Sequence, residues 1–72
     1  MSMLIKGDLV TIPQGAYVYP PNSHRIKIPR KFKTKRYGVV VGVDGDEYQV
    51  LVSDIVYEVN KKYLQLVDAW FL

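Results

Sequence analysis

Nowhere in this chain do ten consecutive residues carry their apolar groups at helical spacing. What recurs is a short run of β-branched and aromatic residues closed by a breaker. Leu9-Val10-Thr11-Ile12 stops at Pro13, Tyr37-Gly38-Val39-Val40-Val41-Gly42-Val43 stops at Asp44-Gly45-Asp46, and a third run ends at Ser53-Asp54. Branching at Cβ suits a pleated strand and crowds the preceding turn of a helix, so the pattern reads as all-β. Five strands follow: Leu9–Ile12, Tyr37–Val43, Glu47–Ser53, Ile55–Val59 and Tyr63–Val67. Asp-Gly between apolar runs marks a hairpin, and Asn60-Lys61-Lys62 reads as a tight turn with one turn of 3₁₀ helix.

Length then limits the architecture. With 72 residues and no cysteine, there is one small domain, with neither a disulfide framework nor a thiolate metal site to support it. A small sheet without a covering helix must dispose of its edges, and closure into a barrel does so. The expected core is Leu9, Ile12, Val39, Val41, Val43, Val50, Val52, Ile55, Tyr57, Leu64 and Leu66. Gly38 and Gly42 sit where a barrel strand bends and a Cβ would crowd. Residues 1–3 read as an expression scar or a loose start. Residues 68–72 form a hydrophobic tail, in which Trp70, Phe71 and Leu72 cap the barrel end or bury in a partner.

Charge is segregated along the chain. Residues 9–43 hold seven basic side chains and no acidic one, whereas residues 44–72 hold six acidic and two basic, so the net charge of +3 conceals a basic segment. All seven cations, Arg25, Lys27, Arg30, Lys31, Lys33, Lys35 and Arg36, fall within twelve positions. Around Pro29 the segment alternates, with Ile26, Ile28 and Phe32 on one parity and Lys27, Lys31, Lys33 and Lys35 on the other. An extended ribbon would therefore aim its lysines together. Pro29 excludes a central strand, so residues 13–36 read as a basic ribbon or loop inserted after the first strand and projecting from the barrel.

The opening Lys6-Gly7-Asp8-Leu9-Val10, the strand Tyr37–Val43 and the closing Tyr63-Leu64-Gln65-Leu66-Val67 after a short turn resemble an SH3-like barrel. More narrowly they resemble KOW-type modules and the small SH3-like proteins of tailed bacteriophages. The likeness spans residues 4–12 and 37–67. It departs from the KOW pattern in placing more than twenty residues where that family keeps a glycine-rich loop close to its first strand. The resemblance implies a binding module whose partners are RNA, DNA or host proteins.

Catalysis is not expected. The lone histidine, His24, lies in the Pro20-Pro21-Asn22-Ser23 turn, and Asp44, Asp46 and Glu47 are too close together for a calcium loop of about twelve residues. No cofactor or metal is implied. No apolar run approaches the ~18 residues of a spanning helix, and no signal peptide is apparent. The expected location is the cytoplasm, that of a host if the source is a phage.

Two functions remain. Nucleic acid, DNA or RNA, fits Arg25, Lys27, Arg30, Lys31, Lys33, Lys35 and Arg36, with Phe32 and Tyr37 placed to stack on unpaired bases. Alternatively the chain docks on a host protein, such as a transcription or defence factor, and modulates or inhibits it. It would do so through the same arm on an acidic surface, or through a second interface of Tyr17, Tyr19, Trp70 and Phe71.

Overall fold

The computed structural model describes residues 4–20 and 29–67. They form seven strands: β1 (Leu9–Ile12), β2 (Tyr17–Tyr19), β3 (Arg30–Lys31), β4 (Arg36–Asp44), β5 (Glu47–Val52), β6 (Ile55–Asn60) and β7 (Gln65–Leu66). One 3₁₀ turn, Lys61–Tyr63, stands between β6 and β7, and there is no α-helix among the described residues. All pairings are antiparallel, in the order β3-β2-β6-β5-β4-β1-β7. The all-β expectation is met. Five strands become seven, because Tyr17–Tyr19 and Arg30–Lys31 pair with each other and β2 also pairs with β6. The ladder is open rather than closed, ending at β3 and β7.

Open does not mean flat. Strands β1 and β2 stand four places apart in the ladder, as do β3 and β4, a separation of about 19 Å in a flat sheet. Each pair is joined by five residue steps, Ile12 to Tyr17 and Lys31 to Arg36, which reach at most about 18 Å when fully extended. The first connection also turns, with Ala16 N–H donating to Pro13 C=O at 3.2 Å and Gly15 at φ +85°. The sheet must therefore curl, carrying β2 and β3 back over β1 and β4. Gly15 N–H donates to Phe32 C=O at 2.9 Å and ties the two crossing connections together.

The curl encloses one core: Val10, Ile12, Ala16, Val18, Phe32, Val40, Tyr48, Val50, Val52 and Val59. Each buried aliphatic contributes about 1.5–3 kcal/mol before chain entropy is counted. Ile12, Val50 and Val52 were expected there, and Tyr57 and Leu64 pack against it. Leu9 is only half-buried, and Val39, Val43, Ile55 and Leu66 are exposed, which corrects the expected core. Within β4 the pairing with β5 shifts between Val40 and Gly42, leaving the half-buried Val41 as the extra residue of a bulge. Before the bulge Val40 points inward opposite Val50; after it Val43 takes the inward parity opposite Tyr48, near the open end. On the outer face, Leu9, Val39, Leu51 and Val56 form a row across β1, β4, β5 and β6.

Residues 13–36 are thus not wholly a projection. Ala16, Val18 and Phe32 belong to the core, and β2 extends the sheet. The tail at 68–72 and the start at 1–3 lie outside the described residues.

Candidate functional site

The basic segment begins at the sheet edge. Among the described residues β3 pairs on one side only, with β2, and places Arg30 and Lys31 on the edge of the sheet. Lys33 and Lys35 follow in the connection to β4, and Arg36 opens β4. Arg30, Lys31, Lys33 and Lys35 are exposed and Arg36 half-buried, and none of the five forms an ion pair among the described residues. An ion pair that is present, Lys61 with Asp46 at 3.5 Å, lies at the β4–β5 hairpin instead. Arg25 and Lys27 lie outside the described residues.

The expected alternation holds from Lys31 to Lys33, with the lysines outward and Phe32 inward, and ends in a bend at residues 33–34, where Lys33, Thr34 and Lys35 are all exposed. Phe32 is buried, its ring set edge-on to Tyr57 at 5.1 Å between centroids, with the Arg36 guanidinium 5.1 Å from its centre. A ring enclosed in this way is not free to stack on a base, which corrects the role expected for Phe32. Its position follows from the same parity that turns the lysines outward: a large apolar side chain between cations is the one that faces the core.

Two exposed tyrosines flank the cations. Lys31 Nζ lies 5.0 Å from the centre of the Tyr17 ring, and Lys35 Nζ lies 5.6 Å from that of Tyr37. Tyr17 is 44% exposed and Tyr37 56%. An exposed cation–π contact contributes only about 0.5–1 kcal/mol, so each lysine is readily drawn away to a phosphate.

Tyr17 and Tyr19 flank the buried Val18 and share a face, as their spacing implies. They join Tyr63 of the 3₁₀ turn and Pro29 around an open groove of ≈ 690 Å³. Glu47, Glu58, Asn60 and Lys62 complete it, with Asn60 Nδ2 donating to Glu47 Oε2 at 2.8 Å. Asn60 also caps the turn, its Oδ1 accepting from Lys62 N–H at 3.0 Å. Tyr63 was not anticipated at this site; its place directly after Asn60-Lys61-Lys62 was the available signal. Trp70 and Phe71, expected beside Tyr17 and Tyr19, lie outside the described residues, as do Ser23 and His24.

Among the described residues no three His, Cys, Asp or Glu side chains stand together as a metal site, and no helix is long and apolar enough to cross a membrane. Set against protein-family models, curated proteins and solved structures, the chain matches none. What the fold and the site define is a small all-β domain carrying a basic edge and, beside it, a groove walled by tyrosines.

Proposed function

We propose that this chain is a non-enzymatic binding module that holds nucleic acid along the edge formed by Arg30, Lys31, Lys33, Lys35 and Arg36, on a framework of SH3-like barrel type. The observation that carries the reading is the run of four exposed cations, Arg30, Lys31, Lys33 and Lys35, leading from the β3 edge to the half-buried Arg36 at the start of β4, with no carboxylate paired to them among the described residues and exposed tyrosines at both ends. Cations already neutralised within the protein release no counterions on meeting a phosphate; these do. The curl of the sheet and the 3₁₀ turn before β7 support the barrel framework.

Salt dependence provides the test. If four of these cations each meet a phosphate, the slope of log K against log salt is about −3.6, a loss of roughly a hundredfold between 50 and 200 mM. Fluorescence anisotropy on a labelled oligonucleotide measures it. Substituting Lys31, Lys33 and Lys35 with Glu abolishes binding, because three attractions become repulsions; a slope near zero, or survival of binding in that variant, refutes the reading.

A second reading rests on the groove. Rings of Tyr17, Tyr19 and Tyr63 beside the Glu47 carboxylate suit an extended peptide that packs proline on aromatic faces and carries a Lys or Arg. The chain would then act as an adaptor or inhibitor of a protein partner. Such binding survives the lysine reversal and is lost in Tyr17→Ala and Tyr63→Ala.

A further inference from the structure

Tyr37, Thr11 and Gln65 form one row across β4, β1 and β7, Thr11 being paired with Tyr37 on one side and with Gln65 on the other. Thr11 alternates with the core residues Val10 and Ile12 and so faces the other side of the sheet, where it is itself covered, only 8% exposed, with its hydroxyl donating to Gln65 C=O at 3.5 Å, while Tyr37 and Gln65 on either side are exposed. A short side chain between two long ones leaves a hollow. Its walls stand about 9.6 Å apart, two interstrand spacings. The hollow measures ≈ 220 Å³ and is lined also by Lys35, Leu66 and Val67. That is below the size of an ordinary small-ligand pocket, about 300–1,000 Å³. It has room for one flat ring system beside Tyr37 and not for a base pair.

The lining suits a nucleobase. Tyr37 offers an exposed aromatic ring, Lys35 stands beside it as a phosphate partner, and Gln65 supplies an amide with both donors and an acceptor. Among the described residues β7 is also an edge strand, paired with β1 alone. Val67 N–H donates to Leu9 C=O at 2.8 Å, so the alternation of an antiparallel ladder turns the backbone N–H and C=O of Leu66 away from β1. A base in the hollow thus meets a stacking surface and polar groups able to read its edge.

We infer that the hollow over Thr11 seats one unpaired base, and that the ligand of the basic edge is therefore single-stranded nucleic acid rather than a duplex. This inference rests on the reading of that edge as a phosphate-binding surface. A base held in a duplex cannot enter without leaving its stack, whereas every unpaired base presents a π-face to the tyrosine.

The test measures affinities of the full chain for four probes at one salt concentration. These are a single-stranded DNA, an RNA of the same sequence, the matching DNA duplex, and inorganic polyphosphate as a polyanion without bases. The wild type is expected to bind a single strand more tightly than duplex or polyphosphate. Tyr37→Ala lowers that preference roughly tenfold, within the range of one base–aromatic stack, and Tyr37→Trp restores it. Gln65→Ala lowers it less and changes its dependence on base identity. Because Tyr37 and Gln65 are exposed, these variants keep the fold, which a melting curve verifies. The DNA and RNA arms identify which sugar the seated strand carries. A preference unchanged in Tyr37→Ala, or equal affinity for single strand and polyphosphate, overturns the inference while leaving the phosphate-binding edge in place. Failure to bind any of the four removes both.

Discussion

At the scale of the residue, the two glycines inside β4 look alike in sequence and differ in what surrounds them. A Cβ built on Gly38 would lie 2.5 Å from Val50 Cγ1, 2.7 Å from the backbone oxygen of Leu51 and 2.9 Å from Val52 Cγ2. The backbone oxygen cannot give way without shifting β5, so Gly38→Ala should destabilise by about 1–3 kcal/mol, as overpacking does. At Gly42 the same atom would meet only the amide end of the Gln49 side chain, which can swing into solvent. Gly42→Ala should therefore be neutral or stabilising by up to about 1 kcal/mol, since glycine within a strand carries an entropic cost. Urea denaturation of both variants separates the cases, and an equal loss in each would contradict the geometry. That a Cβ would crowd at these glycines was legible in the sequence. Which of the two glycines is obligatory was not, because that depends on the residues β5 places opposite them.

At the scale of the element, existence was easier to read than phase. Tyr37–Val43, Glu47–Ser53 and Ile55–Val59 all appear as strands within a residue or two of their expected bounds. The faces of β4 were mistaken, since Val39, Val40, Val41 and Val43 are equally apolar and alternation distinguishes faces only where one of them is polar. The bulge at Val41 then resets the parity and has no marker of its own. The β4–β5 hairpin was signalled by Asp44-Gly45, yet its loop is Gly45-Asp46 with Gly45 at φ +62°. A positive φ at the first loop position alone makes it a II′-type turn rather than the I′ turn that Asp-Gly usually forms.

The 3₁₀ turn was also legible, and its support is specific. Asn60 both caps it and donates to Glu47, joining the start of β5 to the end of β6. Asn60→Ala removes both bonds and should cost about 1–2 kcal/mol. Asn60→Ser retains a cap acceptor, but its hydroxyl is too short to take the place of Nδ2 on Glu47, so its loss should fall between wild type and the Ala variant. Chemical denaturation orders the three proteins; if Ser equals Ala, the cap contributes nothing. Tyr63 lines the groove from this turn, so the same variants also report how firmly the groove is held.

At the scale of the whole molecule, the described part of the basic segment, residues 30–36, is built onto the core through β3 and Phe32 rather than standing apart from it as an arm. An arm outside the core was the natural reading of Pro13, Pro20, Pro21 and Pro29, which interrupt any long strand. What it missed is non-local. β2 reaches β6 across nearly forty residues, and the curl places Phe32 inside. Sequence parity identified the face that Phe32 shares but not the core it meets. The consequence is testable through stability. A domain of 72 residues at ~0.05–0.15 kcal/mol per residue holds about 4–11 kcal/mol in total. Truncating a buried phenylalanine costs about 3–5 kcal/mol, so Phe32→Ala should remove a large share of the stability of the whole domain. Phe32→Leu, which keeps most of the volume, should cost less than about 1.5 kcal/mol. Reversing Lys31, Lys33 and Lys35, all exposed, should leave the melting transition nearly unchanged while binding is lost. The decisive comparison is therefore a melting curve for each variant set beside its affinity. In Phe32→Ala the melting transition falls steeply and binding is lost wherever the domain unfolds, whereas in the lysine variant binding is lost with the transition unchanged. A Phe32→Ala protein that melts like wild type would mean that the segment is attached to the sheet from outside and that its lysines are not positioned by the core.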